Sequence, residues 1–419
     1  MPDDPRPIAV AFVSRQRVVG PTNGSSAYLL DLARAVRDAG MTPHLVQPSP
    51  SLMGRTPLLR MGPELDVFAT HRIRGVVKRG RRVLSVDPAL YAATARGILA
   101  RLGRKVGLTA NWTRDQPAPY SVAVPWTDAD RAFVADALRG ADVVLADYFY
   151  QAEAFALAPP GAARGIVMHD LFHARAGSSI AGEAVDSVTA VTREAELAAL
   201  ARADAVVAIQ RAEADFVRTN LPALTVIEAP MAARAMAEAP TAGDARRLLF
   251  VGSGTAPNLV GLRWFFEHVW PRVLAAVPDM TLDIAGTVGP ALEGDVPAGV
   301  RVLGLVDDLA PLYAAAGIVV SPLTFGSGLK IKLVEALAQG KAIVATGVTL
   351  QGAEDCAAAV IRADDPAAFA DAIVNLARDE PSRLALAAAA LDAARSRFSP
   401  EACYAAFVAW LRTAAGAGA

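Results

Sequence analysis

Only two cysteines, Cys356 and Cys403, occur in 419 residues. A secreted scaffold of this size usually carries more, in pairs, so reduced thiols and a cytoplasmic setting are expected. No charge sign dominates: 41 Lys and Arg face 42 Asp and Glu, for a formal net charge of -1. Global charge therefore gives no case for a nucleic-acid partner. No apolar run reaches the ~18 residues that span a bilayer; Asp147, Gln151 and Glu153 interrupt the best stretch. The first six residues are acidic and proline-rich and lack the basic-then-apolar order of a signal peptide. Membrane contact is thus expected to be peripheral at most. Repeats at solenoid spacing are absent, as are low-complexity tracts beyond alanine-rich helices.

What is present is apolar bulk. Hydrophobic residues make up 53% of the chain and charged residues 20%, enough for large cores, and the length calls for two domains. Ile8–Ser14 reads as a buried strand. Gly20 to Ser26 is a small-residue loop, and Tyr28, Leu29, Leu32, Ala33 and Val36 recur at helical spacing until Gly40. His44–Gln47 begins the next strand. This order opens a doubly wound parallel sheet. Residues 50–130, rich in Pro, Gly and Arg, read as a variable insertion. Strands resume at Ala141–Ala146, Gly165–Met168 and Ala205–Ile209, with a helix over Glu194–Ala203.

Residues 229–246 lack strand character and read as a linker. Arg247–Val251 restarts the pattern, followed by Gly252-Ser253-Gly254 and a helix lined by Leu259, Leu262, Phe265, Phe266 and Val269. Thr281–Ala285, Val300–Leu303, Ile318–Ser321 and Ala342–Thr346 are further strands. The expected organisation is an N-terminal domain over 1–235, a C-terminal domain over 246–396, and a final stretch, 397–419, whose helix packs back on the first domain.

The segment richest in chemistry is Phe325–Gly340, FGSGLKIKLVEALAQG. A strand leads into Gly326-Ser327-Gly328, and a helix starts near Leu329. Glycines at a helix N-terminus let backbone N–H groups approach a ligand, and that end attracts phosphate. Lys330 and Lys332 put two cations in the first turn, against the helix dipole by roughly 0.3–1 kcal/mol each. Such a conflict tends to mark function. Lys332 and Glu335 share a helix face, either as a solvated ion pair or as a cation for phosphate beside a carboxylate for sugar hydroxyls.

This segment resembles the donor-binding motif of the retaining glycosyltransferases called group 1 (family 4), which have the GT-B fold. LLFVGSGTAPNLVGLRWFFEHVWPRV is similar to the first strand, loop and helix of that family's C-terminal domain, and VRVLGLVDDLAPLYAAAGIVVSPL to the strands before the motif. VMHDLFHARA and ADAVVAIQRAEADF are similar to N-terminal-domain segments of one bacterial subgroup. The resemblance is strongest from Leu248 to Cys356. It implies an α/β fold of two Rossmann-like domains facing across a cleft. It also implies transfer of a hexosyl-type sugar from a nucleotide diphosphate sugar to an acceptor hydroxyl, with retention, in glycan or polysaccharide synthesis. The donor is a substrate; no separate cofactor and no metal are implied.

Carried over residue by residue, the resemblance gives Lys332 the diphosphate and Glu335 the ribose. Backbone from Gly326 through Ser327 and Gly328 to Leu329 would hold the distal phosphate and the sugar. Gly252, followed by Ser253, would lie under the phosphates, and His169 would face the donor sugar. Two positions depart from the pattern. Many members have an acid where Ser327 stands and an arginine where Ser253 stands; Lys330 would supply the missing cation. In this fold the leaving phosphate is thought to help deprotonate the acceptor, so electrostatic stabilisation of that leaving group would contribute more to the rate than a carboxylate at the Ser327 position. The departures favour the alternative, a non-catalytic nucleotide-sugar-binding or scaffold subunit. A nucleotide-sugar isomerase is a third reading, for which no acid/base set stands out.

Other residues leave two readings each. Gly24, Ser25 and Ser26 form either a capped turn or a loop facing acceptor or phosphate. His173, four after His169, has no further ligand nearby, which argues against metal. Asp128 and Asp130 copy a short acidic metal motif but fit a helix start better. Asn258 and Asp307 read as helix caps. His71 to Arg82, with six Lys or Arg, reads as a solvated loop. Its alternative is a strip for anionic headgroups or a diphosphate-bearing acceptor, at the inner face of a membrane. Expected partners are a nucleotide sugar and an acceptor glycan, lipid-linked sugar or small molecule.

Overall fold

A computed structural model describes residues 6–21, 24–49, 53, 54, 56–105, 123–175, 191–289, 292, 296–326 and 328–416. The chain divides into two compact units, one of residues 1–229 with 404–419, the other of residues 230–403.

The first unit begins with β1 (Ala9–Val13), α1 (Gly24–Asp38) and β2 (Thr42–Gln47). β3 (Leu58–Arg60), β4 (Thr70–Ile73), β5 (Val76–Arg79), β6 (Arg82–Ser85), α2 (Pro88–Lys105) and α3 (Asp128–Ala137) follow. Then come β7 (Val143–Asp147), β8 (Ala163–Val167), α4 (Phe172–Arg175), α5 (Arg193–Leu200), β9 (Ala205–Ala208), α6 (Arg211–Asn220) and β10 (Thr225–Glu228). Seven strands form one parallel sheet, in the order β10-β9-β8-β7-β1-β2-β4. Val10 to Val13 and Val143 to Ala146 are all buried. Continuous apolar runs of this kind suit strands covered on both faces. α1 ends before Gly40, whose φ of 81° only glycine adopts readily.

Residues 50–130 hold more regular structure than their composition implies. β4 extends the main sheet, and β3, β6 and β5 make a separate antiparallel sheet. The basic run 71–82 is thus three strand segments joined by turns at Gly75 and Gly80, not a loop. Two positive-φ glycines punctuate strands too short to show their period.

The second unit runs β11 (Asp244–Val251), α7 (Ala256–Trp264), α8 (Trp270–Ala276), β12 (Thr281–Ala285), β13 (Val300–Gly304) and α9 (Ala310–Ala315). It continues β14 (Ala316–Ser321), α10 (Ile331–Ala338), β15 (Ala342–Ala345), β16 (Ile361–Arg362), α11 (Pro366–Arg378) and α12 (Glu380–Arg397). α13 (Pro400–Gly416) closes the chain, and from Tyr404 its residues belong to the first unit, where Gly165 of β8 makes room for the Trp410 ring. The sheet order is β13-β12-β11-β14-β15-β16, all parallel. Between α7 and α8, Phe265–Val269 widens to a π turn. Pro271, with no N–H, interrupts the helical ladder there. Leu262, Phe265, Val269, Trp270 and Val273 still point into a core with Phe250, Ile284, Ile318 and Phe369. Among the described residues no helix is long and apolar enough to cross a membrane.

Candidate functional site

Both sheets reverse their strand order once. In open parallel sheets, ligands collect outside the carboxyl ends of the strands at that reversal. In the second unit the reversal lies between β11 and β14. β11 runs out into Gly252-Ser253-Gly254-Thr255, and β14 into Pro322–Lys330. The loops approach each other. A Cβ on Gly326 would stand 3.7 Å from the Pro257 ring and 3.8 Å from Lys330 Cε.

Glycine is required at several points here. Gly326 has φ 132° and Gly328 φ 79°. At Gly252 a Cβ would meet the Phe250 ring at 2.6 Å, and on Gly286 (φ 106°) it would meet the Gly252 carbonyl oxygen at 2.1 Å. The Gly252 N–H is already spent on the Ala285 carbonyl, 3.0 Å away. The exposed loop beyond is braced by Asn258, whose Nδ2 donates to the Ser253 carbonyl at 2.8 Å. Asn258 is therefore not the cap: Thr255 holds that position. Asp307 is not one either; the Ala310 N–H of α9 donates to Asp308.

α10 starts at Ile331, two residues later than its apolar pattern implies. The left-handed turn at Gly328 and the extended Lys330 (φ −86°, ψ 98°) keep the chain out of the helix until then. Leu329 precedes the helix and Lys330 occupies its N-cap. Lys330 Nζ donates to the Gly328 carbonyl at 2.6 Å, and burial pulls its pKa down to about 8. Lys332 Nζ donates to both Glu335 oxygens at 2.8 Å in a half-exposed pair. Ser327 lies outside the described residues. On the other side of Glu335 is a cavity of about 340 Å³, lined also by Arg234, Asp308, Tyr313, Ile331 and Val334. The Tyr313 hydroxyl is buried with no hydrogen-bond partner among the described residues. Burial and the Glu335 carboxylate push its pKa up.

In the first unit the reversal lies between β1 and β7. Asp147, the last residue of β7, is fully buried. It accepts from Ser14 Oγ at 2.5 Å and from Gln16 Nε2 at 2.6 Å, and His169 Nε2 lies 2.6 Å away. An ionised carboxylate only accepts, so His169 donates to Asp147 through Nε2–H, and Nδ1 faces away from that bond. His169 follows β8 and is stacked on Tyr148 at 4.2 Å between ring centroids, with the Tyr28 ring edge-on at 5.6 Å. Tyr148 takes φ 68°, rare for a non-glycine residue and a sign of stored strain. Gln47 Nε2 donates to the Gln16 carbonyl, and its Oε1 meets His71 Nε2 at 2.7 Å. Burial lowers the His71 pKa to about 3, so that ring stays neutral. Glu213 nearby in the fold is raised to about 8 by burial and by Asp170.

The remaining sequence candidates fall into place individually. Gly24 and Ser25 are the first turn of α1, not a loop, and Gln16 Nε2 reaches the Ser25 carbonyl. His173 Nδ1 meets Glu196 at 2.6 Å, tying α4 to α5. Among the described residues no three His, Cys, Asp or Glu are placed to hold a metal. Thr127 and Asp130 form a reciprocal capping box at α3, as the acid spacing implies. Asp130 does more than cap: it pairs with Arg15 at 2.9 Å and with Arg74 at 2.7 Å. Asp147, Gln16, Gln47 and His71 were not legible as a group. The only sequence signal was an acid ending an otherwise apolar strand.

Residues 245–379 match the model of the family described as Glycosyl transferases group 1. A curated relative, an uncharacterized 44.6 kDa protein in the cps region of Klebsiella pneumoniae, is 26% identical over 144 residues. That match spans 32% of this chain and only 37% of the relative. Sucrose-phosphate synthase from Thermosynechococcus elongatus superposes with a TM-score of 0.59 at 16% identity, covering 97% of this chain and 98% of that one. Anabaena Alr3699/HepE, solved with UDP and glucose, gives 0.57 at 15%, covering 96% and 99%. TarM of S. aureus gives 0.61 at 10%, covering 96% and 98%. At these identities the likeness is one of fold, two Rossmann-like units as in GT-B glycosyltransferases.

Proposed function

We propose, from the match of residues 245–379 to the group 1 glycosyl transferases, that the whole chain moves a sugar from a nucleotide diphosphate sugar to an acceptor hydroxyl. The carrying observation is the pair of glycine-bent loops at the β11–β14 reversal, with Lys330 and Lys332 beside them. Lys330 is a mostly buried ammonium whose partner is a carbonyl rather than a carboxylate. It is held ready for an anion. Glu335 would take the ribose, and the cavity beside it has room for the rest of the nucleoside.

In the reaction the bond from the anomeric carbon to the donor phosphate oxygen breaks. The acceptor oxygen bonds that carbon on the same face, and the acceptor proton passes to the departing phosphate. Lys330 and Lys332 would stabilise the charge on that leaving group, with no metal required. His169 is assigned to the transferred sugar, through Nδ1.

Donor affinity should depend on pH through Lys330. Its free-state pKa of about 8 rises when an anion covers it, so affinity is full below pH 8 and lost as pH climbs through that value. Without ligand the sign is opposite. The unfolded chain keeps that proton to pH 10.5, so the charged group works against folding below pH 8 and the effect lifts between there and 10.5. Calorimetric titration should show donor affinity falling about tenfold per pH unit above 8. Lys330→Arg should flatten the profile; an unchanged slope in that variant would remove Lys330 from the site.

The reading is tested by mixing the protein with donor and acceptor sugars, following release of nucleoside diphosphate and reading the product's anomeric configuration by NMR. An inverted product would overturn retention, and loss of activity with a chelator would overturn metal independence. Donor binding with neither transfer nor hydrolysis would favour the scaffold reading, for which Ser253 and Ser327 speak.

A further inference from the structure

The surface built from residues 58–102 is arranged by type. The β3–β6 and β5–β6 registers put Leu58, Leu84 and Val77 in one row across the small sheet and Arg60, Arg82 and Arg79 in the next. Residues two apart on a strand share a face, so both rows lie on one side. All six are exposed, whereas Val83, on the opposite side, is fully buried. β6 leads straight into α2, and the Tyr91 hydroxyl donates to the Ser85 carbonyl at 2.9 Å. Along α2, Tyr91, Ile98, Leu99 and Leu102 fall on one stripe at helical spacing, 43% to 58% exposed. Ala100, on the other side, is buried. Arg96 and Arg101 are exposed and flank the stripe.

Exposed leucines scattered singly need no explanation, but a surface that carries both an apolar row on a sheet and an apolar stripe on the next helix does. Its arginines decide the kind of partner. Arg60, Arg79 and Arg82 pair with no carboxylate among the described residues. Three guanidinium groups in one row would be costly to bury against a neutral protein. Arg72 and Arg74, from the same basic run, do not belong to the face; they are tied to Asp136 and Asp130. A soluble polyanion would satisfy the arginine row and leave the leucines wet. An anionic bilayer surface satisfies both, with phosphates over the arginines and apolar side chains at the glycerol and acyl boundary.

We propose that the β3-β6-β5 face together with the apolar stripe of α2 is a docking surface for anionic lipid bilayers. This does not depend on the donor-site assignment. The test is co-sedimentation of the full chain with vesicles of phosphatidylcholine alone or mixed with phosphatidylglycerol. Binding is expected only with phosphatidylglycerol, reduced but not erased by salt. Arg60→Glu/Arg79→Glu/Arg82→Glu should weaken it about a hundredfold or more, and Ile98→Ser/Leu102→Ser about tenfold. Both variants should keep the wild-type melting temperature and donor response. Failure to bind, or equal binding to both vesicle types, would overturn the proposal. So would a self-association that the same variants abolish, since the face would then pair two copies. A lower melting temperature in the Ile98/Leu102 variant would mean that the chain itself covers the stripe, which also defeats it.

Discussion

Asp147→Ala is expected to destabilise the first unit by about 3–5 kcal/mol and to slow sugar transfer about a hundredfold without changing donor affinity. Asp147 is fully buried and receives hydrogen bonds from Ser14, Gln16 and, through the protonated Nε2 tautomer, His169. Removing it takes the acceptor from Ser14 and His169 and leaves Gln16 Nε2 with only the Ser25 carbonyl. For a unit of this size the loss amounts to roughly 10 °C in melting temperature. Asp147→Asn keeps the volume and one acceptor but turns the other oxygen into a donor, so it should fall between the two. The kinetic effect has a separate origin. Without its carboxylate the imidazole of His169 is free to take the other tautomer and to leave the Tyr148 stack. Calorimetry on the folded variant would give the donor affinity, and steady-state rates would give kcat. A stable variant with normal kcat would show that His169 has no part in transfer.

Lys332→Ala should weaken donor binding by about 10–100-fold, the equivalent of one charged phosphate contact. In the free protein Lys332 rests on Glu335, in a pair exposed enough to contribute little stability. The ammonium can therefore turn to a diphosphate at small cost. Glu335→Ala frees that ammonium and removes the proposed ribose acceptor. It should erase the preference for a ribonucleotide donor over its dideoxy analogue and affect inorganic pyrophosphate far less. If the two variants lose sugar nucleotide and pyrophosphate equally, the division of labour between Lys332 and Glu335 is wrong.

Most strands of the two large sheets were legible because they hold runs of Val, Ile, Leu and Ala, as in VVLAD and GIVVS, punctuated by glycine; β4, β10 and β16, of four residues or fewer, were not. The start of α10 was misplaced by two residues. Leu329 and Lys330 fit a helical pattern, and the φ of Gly328 is a backbone property that no periodicity records. The residues proposed for the donor could be singled out in the sequence because most of them crowd into Phe325–Gly340. The first unit's cluster could not. Ser14, Gln47, Asp147 and His169 come from the ends of separate strands and meet only once β1, β2, β7 and β8 lie side by side. Likewise Leu58, Val77 and Leu84 form a row only through a register that short strands do not announce.

The central claim is that the second unit holds a nucleotide sugar at Lys330, Lys332 and Glu335. The most direct measurement is a thermal-shift screen of the full chain against UDP-, GDP-, ADP- and dTDP-sugars, with Lys332→Ala in parallel. Ligand at about 100 times its dissociation constant adds ~2.7 kcal/mol of stability. The account predicts an upward shift with one nucleotide class, sharply reduced in Lys332→Ala. A folded protein that shifts with none of the donors, or a shift that survives in Lys332→Ala undiminished, would contradict it.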